Sequence, residues 1–149
     1  MQNVEIFVDE DSVFSGTLSI GWKISNAVFD RIKEEGWRDP QIVIILSPKD
    51  DYDTYKERRV MTSVRSRLAF IEVRRKGAHK VHAFLCDKGD AYTTMSSSSY
   101  VTTVLNFRGD DFTSYGGIDP LYRANVIDID VPAECFAAEP PAWEKRWVN

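Results

Sequence analysis

The run Gln41-Ile42-Val43-Ile44-Ile45-Leu46, bounded by Pro40 and Pro48, has few structural homes. It is continuously apolar rather than alternating, so a strand made from it has no polar face to turn to water. Its β-branched residues disfavour a helix, and the prolines mark where a ladder must stop. The expectation is a central strand buried on both faces.

Around this anchor, Val4 to Val8 is apolar enough for an opening strand that ends at the acidic cluster Asp9-Glu10-Asp11, read as a loop. Ile20, Ile24, Ala27, Val28 and Ile32 recur at three- and four-residue spacing, and Gly36 supplies a stop, so the spacing predicts a helix over 20–35 with Trp22 and Phe29 widening its apolar face. Strand, helix, strand suggests a βαβ start, for which a right-handed crossover is the usual solution.

From Asp50 to Leu68 the signals compete. Met61, Val64 and Leu68 have helical spacing, yet Val, Thr and Ser crowd positions 60–66; we expect a helix. Leu68 to Arg75 and His79 to Cys86 are β-rich runs separated by Lys76-Gly77-Ala78, which predicts a hairpin. Alternation assigns Ile71, Val73, Val81, Ala83 and Leu85 to a core face and Phe70, Glu72, Arg74, Lys80, His82 and Phe84 to the opposite one. Further strands are expected at Tyr100 to Phe107 and Asn125 to Val131. Pro140-Pro141 before Trp143 and Trp147 suggests a short C-terminal docking segment over 140–149, its tryptophans available to pack back or to contact a partner. The expected architecture is one α+β domain over 1–149, with a mixed sheet of about five or six strands including a basic β-hairpin, and two or three helices.

Composition supports this reading. At 149 residues and 43% hydrophobic, the chain is long enough to bury a core without cross-links. Cys86 and Cys135 are too few for a disulfide scaffold and are read as free thiols. There is neither a basic, apolar leader nor a run of about 18 apolar residues, so a cytoplasmic protein without a membrane span is expected.

Charge distribution points to a working surface. Nine basic residues between Lys56 and Lys80 face only Glu57 and Glu72, a local +7 inside a chain of net charge −4. An acidic average does not preclude a basic binding face. We therefore expect a noncatalytic binding or regulatory module. Arg58, Arg65, Arg67, Arg74, Arg75, Lys76 and Lys80 would supply charge and Phe70, His82 and Phe84 apolar or stacking contact, for an acidic protein or a phosphate-bearing ligand such as nucleic acid or a nucleotide. The same cations also protect sheet edges from pairing, a role that needs no ligand.

The enzymatic alternative is a Mg²⁺-dependent phosphodiesterase or nuclease. Asp9, Asp11, Asp50 and Asp51 follow two expected strands, and carboxylates brought together there could hold the cation. Glu72-Val73-Arg74 resembles the acidic-x-lysine strand of metal-dependent nucleases, but arginine stands where that chemistry uses lysine, and arginine does not give up its proton. His79, His82, Cys86 and Cys135 are a conceivable zinc set, except that positions 79 and 82 have opposite parity on a strand. Cys86 with His82 as its base would be a nucleophilic pair, although nothing in the sequence lowers the thiol pKa. No phosphate-binding glycine motif and no nucleophile elbow is present, so no cofactor and no metal are assigned.

Overall fold

The computed structural model describes residues 3–49, 58–87 and 119–136. Among these the fold is mixed α+β, with seven strands in two antiparallel sheets rather than five or six in one. The strands are β1 (Val4–Asp9), β2 (Thr17–Ile24), β3 (Pro40–Pro48), β4 (Arg58–Ser63), β5 (Leu68–Glu72), β6 (Gly77–Asp87) and β7 (Ile127–Val131); one α-helix, α1 (Asn26–Glu34), follows β2. Short 3₁₀ segments occupy 10–15, 64–66, 120–122 and 133–135. The first sheet has the order β1-β2-β5 and the second β4-β3-β6-β7. No helix among the described residues is long and apolar enough to cross a membrane.

The apolar run behaves as its composition dictates. β3 takes the two prolines as its terminal residues and lies between β4 and β6, with Gln41 to Pro48 buried throughout. Ile42, Ile44 and Leu46 oppose Leu85, Ala83 and Val81 on β6, and these six side chains face the core shared with the first sheet. Val43 and Ile45 oppose Phe84 and His82 on the other face, which is buried as well. From the first sheet, Val4, Ile6, Leu18, Ile20, Trp22, Ala69 and Ile71 close the core.

Four expected features are corrected. The helix over 20–35 is half strand: β2 runs to Ile24 with Leu18, Ile20 and Trp22 buried at period two, and the helix begins only after Ser25. Ser25 has extended backbone and its hydroxyl accepts the Val28 amide at 3.3 Å, an N-cap that fixes the start. The stop at Gly36 is as expected. Gly36 has φ +73, its amide donates to the Lys33 carbonyl and the Trp37 amide donates to Ile32, while Trp37 and Ile32 both enter the core.

The βαβ start does not form, because β1 pairs antiparallel with β2 and β3 belongs to the other sheet. The expected helix over 50–68 is replaced, in its described part, by β4 and the 3₁₀ turn Val64–Ser66; the β-branched Val60 and Thr62 pair with Ile44 and Ile42.

The basic hairpin is the fourth correction. β5 pairs with β2, and β6 pairs with β3 and β7, so the segment between them crosses from one sheet to the other instead of reversing. Val73 continues the β5 pairing by donating to Gly16 at 3.0 Å, and Gly77, at φ +100, turns the chain into the second sheet. The face assignment nevertheless holds for the core set: Ile71, Val73, Val81, Ala83 and Leu85 are all buried, but they meet across the core rather than along a ladder. The expected strand at 100–107 and the docking segment 140–149 lie outside the described residues.

The sheets are stitched along one side by 123–125. Ala124 bridges Val4 and donates to Ala83, while the Asn125 side chain accepts from the Ile6 amide at 2.8 Å and donates to the Ile6 carbonyl at 3.2 Å. One carboxamide thus supplies β1 with what a neighbouring strand's backbone would supply. Along the other side, β4 runs through Val64–Ser66 into β5 and packs against it.

Replacing Gly36 by alanine places a β-carbon in the left-handed region and is expected to lower unfolding free energy by about 1 kcal/mol, read as a reduced urea midpoint at unchanged slope.

Candidate functional site

The outward face of the three-stranded sheet is the part of the molecule that breaks the usual alternation. On β1, Val4 and Ile6 point inward and Phe7 points out; on β5, Ala69 and Ile71 point inward and Leu68 and Phe70 point out. Phe7, Leu68 and Phe70 are 41%, 50% and 59% exposed. The register puts Phe7, Gly21 and Leu68 in one row across the sheet, with Phe70 two residues further along β5. The Phe7 ring leans over Gly21, where a β-carbon would stand 2.8 Å from Phe7 Cε2.

This row borders a cleft of about 840 Å³ between β2, α1 and the Val64–Ser66 turn. Trp22 and Val64 are buried beneath it, and the Trp22 indole donates to the Val64 carbonyl at 3.0 Å, which fixes the turn. Phe7 and Phe29 flank it, both partly exposed. Lys23, Arg65 and Arg67 form its charged rim, and the Lys23 ammonium lies 5.9 Å from the centre of the Phe7 ring. Arg67 holds φ +64, the one non-glycine residue with positive φ among the described residues. A side chain held there costs on the order of 1 kcal/mol, a strain that glycine would remove.

The ten residues singled out from sequence do not form one patch. Arg65 and Arg67 reach the cleft and Phe70 lies on the adjoining face. Arg58 and Arg74 converge instead on Glu72, at 2.8 and 3.1 Å, and hydrogen bonding and charge, led by Arg74, hold its carboxyl below its ordinary 4.5. Lys80 sits on the second sheet, where it and Lys49 each lie 3.1 Å from Asp128; hydrogen bonds from Lys49 and Lys80 lower that carboxyl too. Arg75 and Lys76 are exposed on the crossing between sheets.

His82 and Phe84 are corrected outright. Both are 0% exposed, because β6 is an inner strand covered on both faces, and neither can touch a macromolecular ligand.

Lys23, Arg65 and Arg67 make no ion pair among the described residues, a property they share with Lys33, Arg38 and Lys76, but only these three border the cleft. Lys23, Phe7, Phe29 and Leu68 were not among the sequence candidates. The signal for Phe7 and Leu68 was present, since each is a large apolar residue at the wrong parity of its strand.

The carboxylate and zinc alternatives gain no geometry. Asp50 and Asp51 lie outside the described residues, and no group of three or more His, Cys, Asp or Glu side chains gathers among those described. His79 faces the core beside Ile129, whereas His82 and Cys86 lie on the opposite face of β6, as parity requires. The His79 ring packs down on the turn with Nδ1 2.8 Å from the Gly77 carbonyl, and burial pushes its pKa below the ordinary 6.5.

The folded chain therefore keeps His79 neutral where the unfolded chain takes up a proton. This contribution is complete above pH 6.5 and is lost as pH falls through 6.5 towards the depressed folded value. Urea midpoints should fall on going from pH 7.5 to 5.5, and His79→Asn, which keeps a donor near Gly77, should flatten that fall.

No protein-family model and no curated protein sequence matches the chain, so the case for function is carried by the cleft and the sheet face beside it.

Proposed function

We propose that the protein is a noncatalytic binding or regulatory module that engages a phosphate-bearing ligand through the cleft rimmed by Lys23, Arg65 and Arg67. The observation that carries this reading is the pairing of three cations free of ion pairs among the described residues with exposed phenyl rings at the same cleft. Other cations of the basic run are paired with carboxylates, Arg58 and Arg74 with Glu72 and Lys80 with Asp128.

Exposed cations cost little in water, but held around a low-dielectric concavity they attract an anion more strongly than when dispersed. Arginine adds a planar fork suited to phosphate oxygens. The strained backbone at Arg67 supports the same reading, since it aims an arginine at the cleft where a relaxed turn would use glycine. An acidic protein would satisfy the charge but not make use of the rings as directly, and it is the competing outcome of the test.

The test is a salt titration of binding to a single-stranded oligonucleotide, a mononucleotide and a polyglutamate peptide, with and without Mg²⁺, followed by product analysis. Salt-sensitive binding of the phosphate ligands without products is expected. Lys23→Ala/Arg65→Ala/Arg67→Ala together should reduce oligonucleotide affinity roughly tenfold or more and shrink the salt slope by about 2. Glu72→Gln, which releases Arg58 and Arg74, should strengthen binding. Preference for polyglutamate would overturn the ligand class, and Mg²⁺-dependent products the noncatalytic assignment.

Arg67→Gly separates binding from folding. It should weaken binding while raising stability by up to about 1 kcal/mol in urea denaturation, because the left-handed backbone no longer carries a β-carbon.

A further inference from the structure

We infer that the ligand is a single-stranded nucleic acid laid across the open face of the three-stranded sheet, with bases stacked on Phe7 and Phe70 and phosphates held by Lys23, Arg65 and Arg67. This rests on the phosphate reading above and names the rest of the ligand.

The cleft alone would suit a nucleotide, but the apolar surface does not stop at the cleft. Phe7 belongs both to its wall and to the row Phe7-Gly21-Leu68, and Phe70 continues the exposed surface along β5. Neighbouring strands lie ~4.8 Å apart and a two-residue step along a strand covers ~6.7 Å, so Phe7 and Phe70 are separated by roughly 12 Å. That is too far for one base to touch both rings. Two rings on one open face, with cations along one end, match a chain of stacked bases better than a single nucleotide.

The edges of the sheet argue against an extended peptide. A peptide that adds to a sheet needs an unpaired edge strand. On β1, the Ile6 amide and carbonyl are both taken by Asn125, and Val4 is bridged to Ala124. On the other side, β5 ends the sheet without pairing to β4, but packs against it, and Arg58 ties the two strands through Glu72. The open face offers Phe7, Leu68, Phe70 and Lys23, beside the exposed carboxylates Glu5, Asp9 and Glu72 at the same strand parity.

Duplex nucleic acid fits less well. Its bases are stacked on one another, so it can meet the cations with its phosphates but cannot use the rings. Sequence preference should be weak, because every base has a face to stack.

The experiment is fluorescence anisotropy at low salt with four labelled probes: a mixed-sequence 15-nucleotide single strand, an abasic strand of the same length, the matching duplex, and a polyglutamate peptide. The single strand is expected to bind at least tenfold more tightly than the abasic strand or the duplex. Phe7→Ala and Phe70→Ala should each weaken single-strand binding by about fivefold or more while leaving abasic binding unchanged. Phe7→Leu and Phe70→Leu, which keep apolar area and protect against a folding defect, should reproduce the loss.

Equal affinity for single and abasic strands, or no effect of all four phenylalanine variants, would overturn the stacking inference and leave the phosphate reading standing. Tightest binding to polyglutamate, or no association with any probe, would overturn both.

Discussion

The pairing of β3 with β6 is the constraint from which the other features of the fold follow. Both strands are buried on both faces, so every backbone group along them must be satisfied within the ladder, and the register from Pro40 opposite Asp87 to Pro48 opposite His79 admits no slip without turning apolar side chains to the wrong face. Asp87 closes one end. Its two carboxylate oxygens accept the Arg38 and Asp39 amides at 3.1 and 2.9 Å, ending the approach to β3 in charge-assisted hydrogen bonds rather than unpaired amides. With this pair fixed, β4 and β7 are confined to its flanks, and the three-stranded sheet can only pack over the core-facing side.

That division of labour explains why the candidate surface lies where it does. The inner pair has no face to offer a ligand. The three-stranded sheet buries one face and leaves the other to solvent, and a sheet with one wet face can carry side chains that serve recognition without disturbing the core. Glu35 secures the helix that borders the cleft. Its carboxylate accepts the Tyr122 hydroxyl at 2.6 Å and the Trp37 indole at 3.3 Å and pairs with Arg31, while the Trp37 and Tyr122 rings pack 4.7 Å apart. Burial, with the hydrogen bond to Glu35, pushes the Tyr122 phenol well above its ordinary value, so it stays a donor throughout the accessible pH range. The helix is thereby held to the 120–122 segment as well as to the core.

Local features were legible in the sequence and partner choice was not. The doubly buried strand, the stop at Gly36 and the core faces of β5 and β6 each depend on residues within a few positions of one another, and each was readable. Sheet membership depends on what a strand meets from elsewhere. Ile71 and Val81 have the same alternation whether they sit side by side in a hairpin or face each other across a core, so parity could not separate the two. Ile20 and Ile24 satisfy both a two-residue and a four-residue period. Pairing with β1 and β5 resolves them in favour of strand, and the cap at Ser25 starts the helix after them. The basic cluster was read as one surface because its members are close in sequence. The crossing between sheets sends Arg65 and Arg67 to the cleft and Lys80 to the opposite sheet, and Lys23 joins the first pair from a strand far upstream.

The Asn125 carboxamide has a consequence for the order in which a nascent chain becomes safe. All three strands of the first sheet have been synthesised once Glu72 has been added, but the groups that shield the free side of β1 come from 124 and 125. During the intervening elongation the ribosome carries a sheet that can already pair internally yet shows a raw edge to other polypeptides, the situation in which strands of neighbouring chains recruit one another. Protection then arrives when 124 and 125 dock together, so the window for misassembly is set by the speed of translation through the intervening segment.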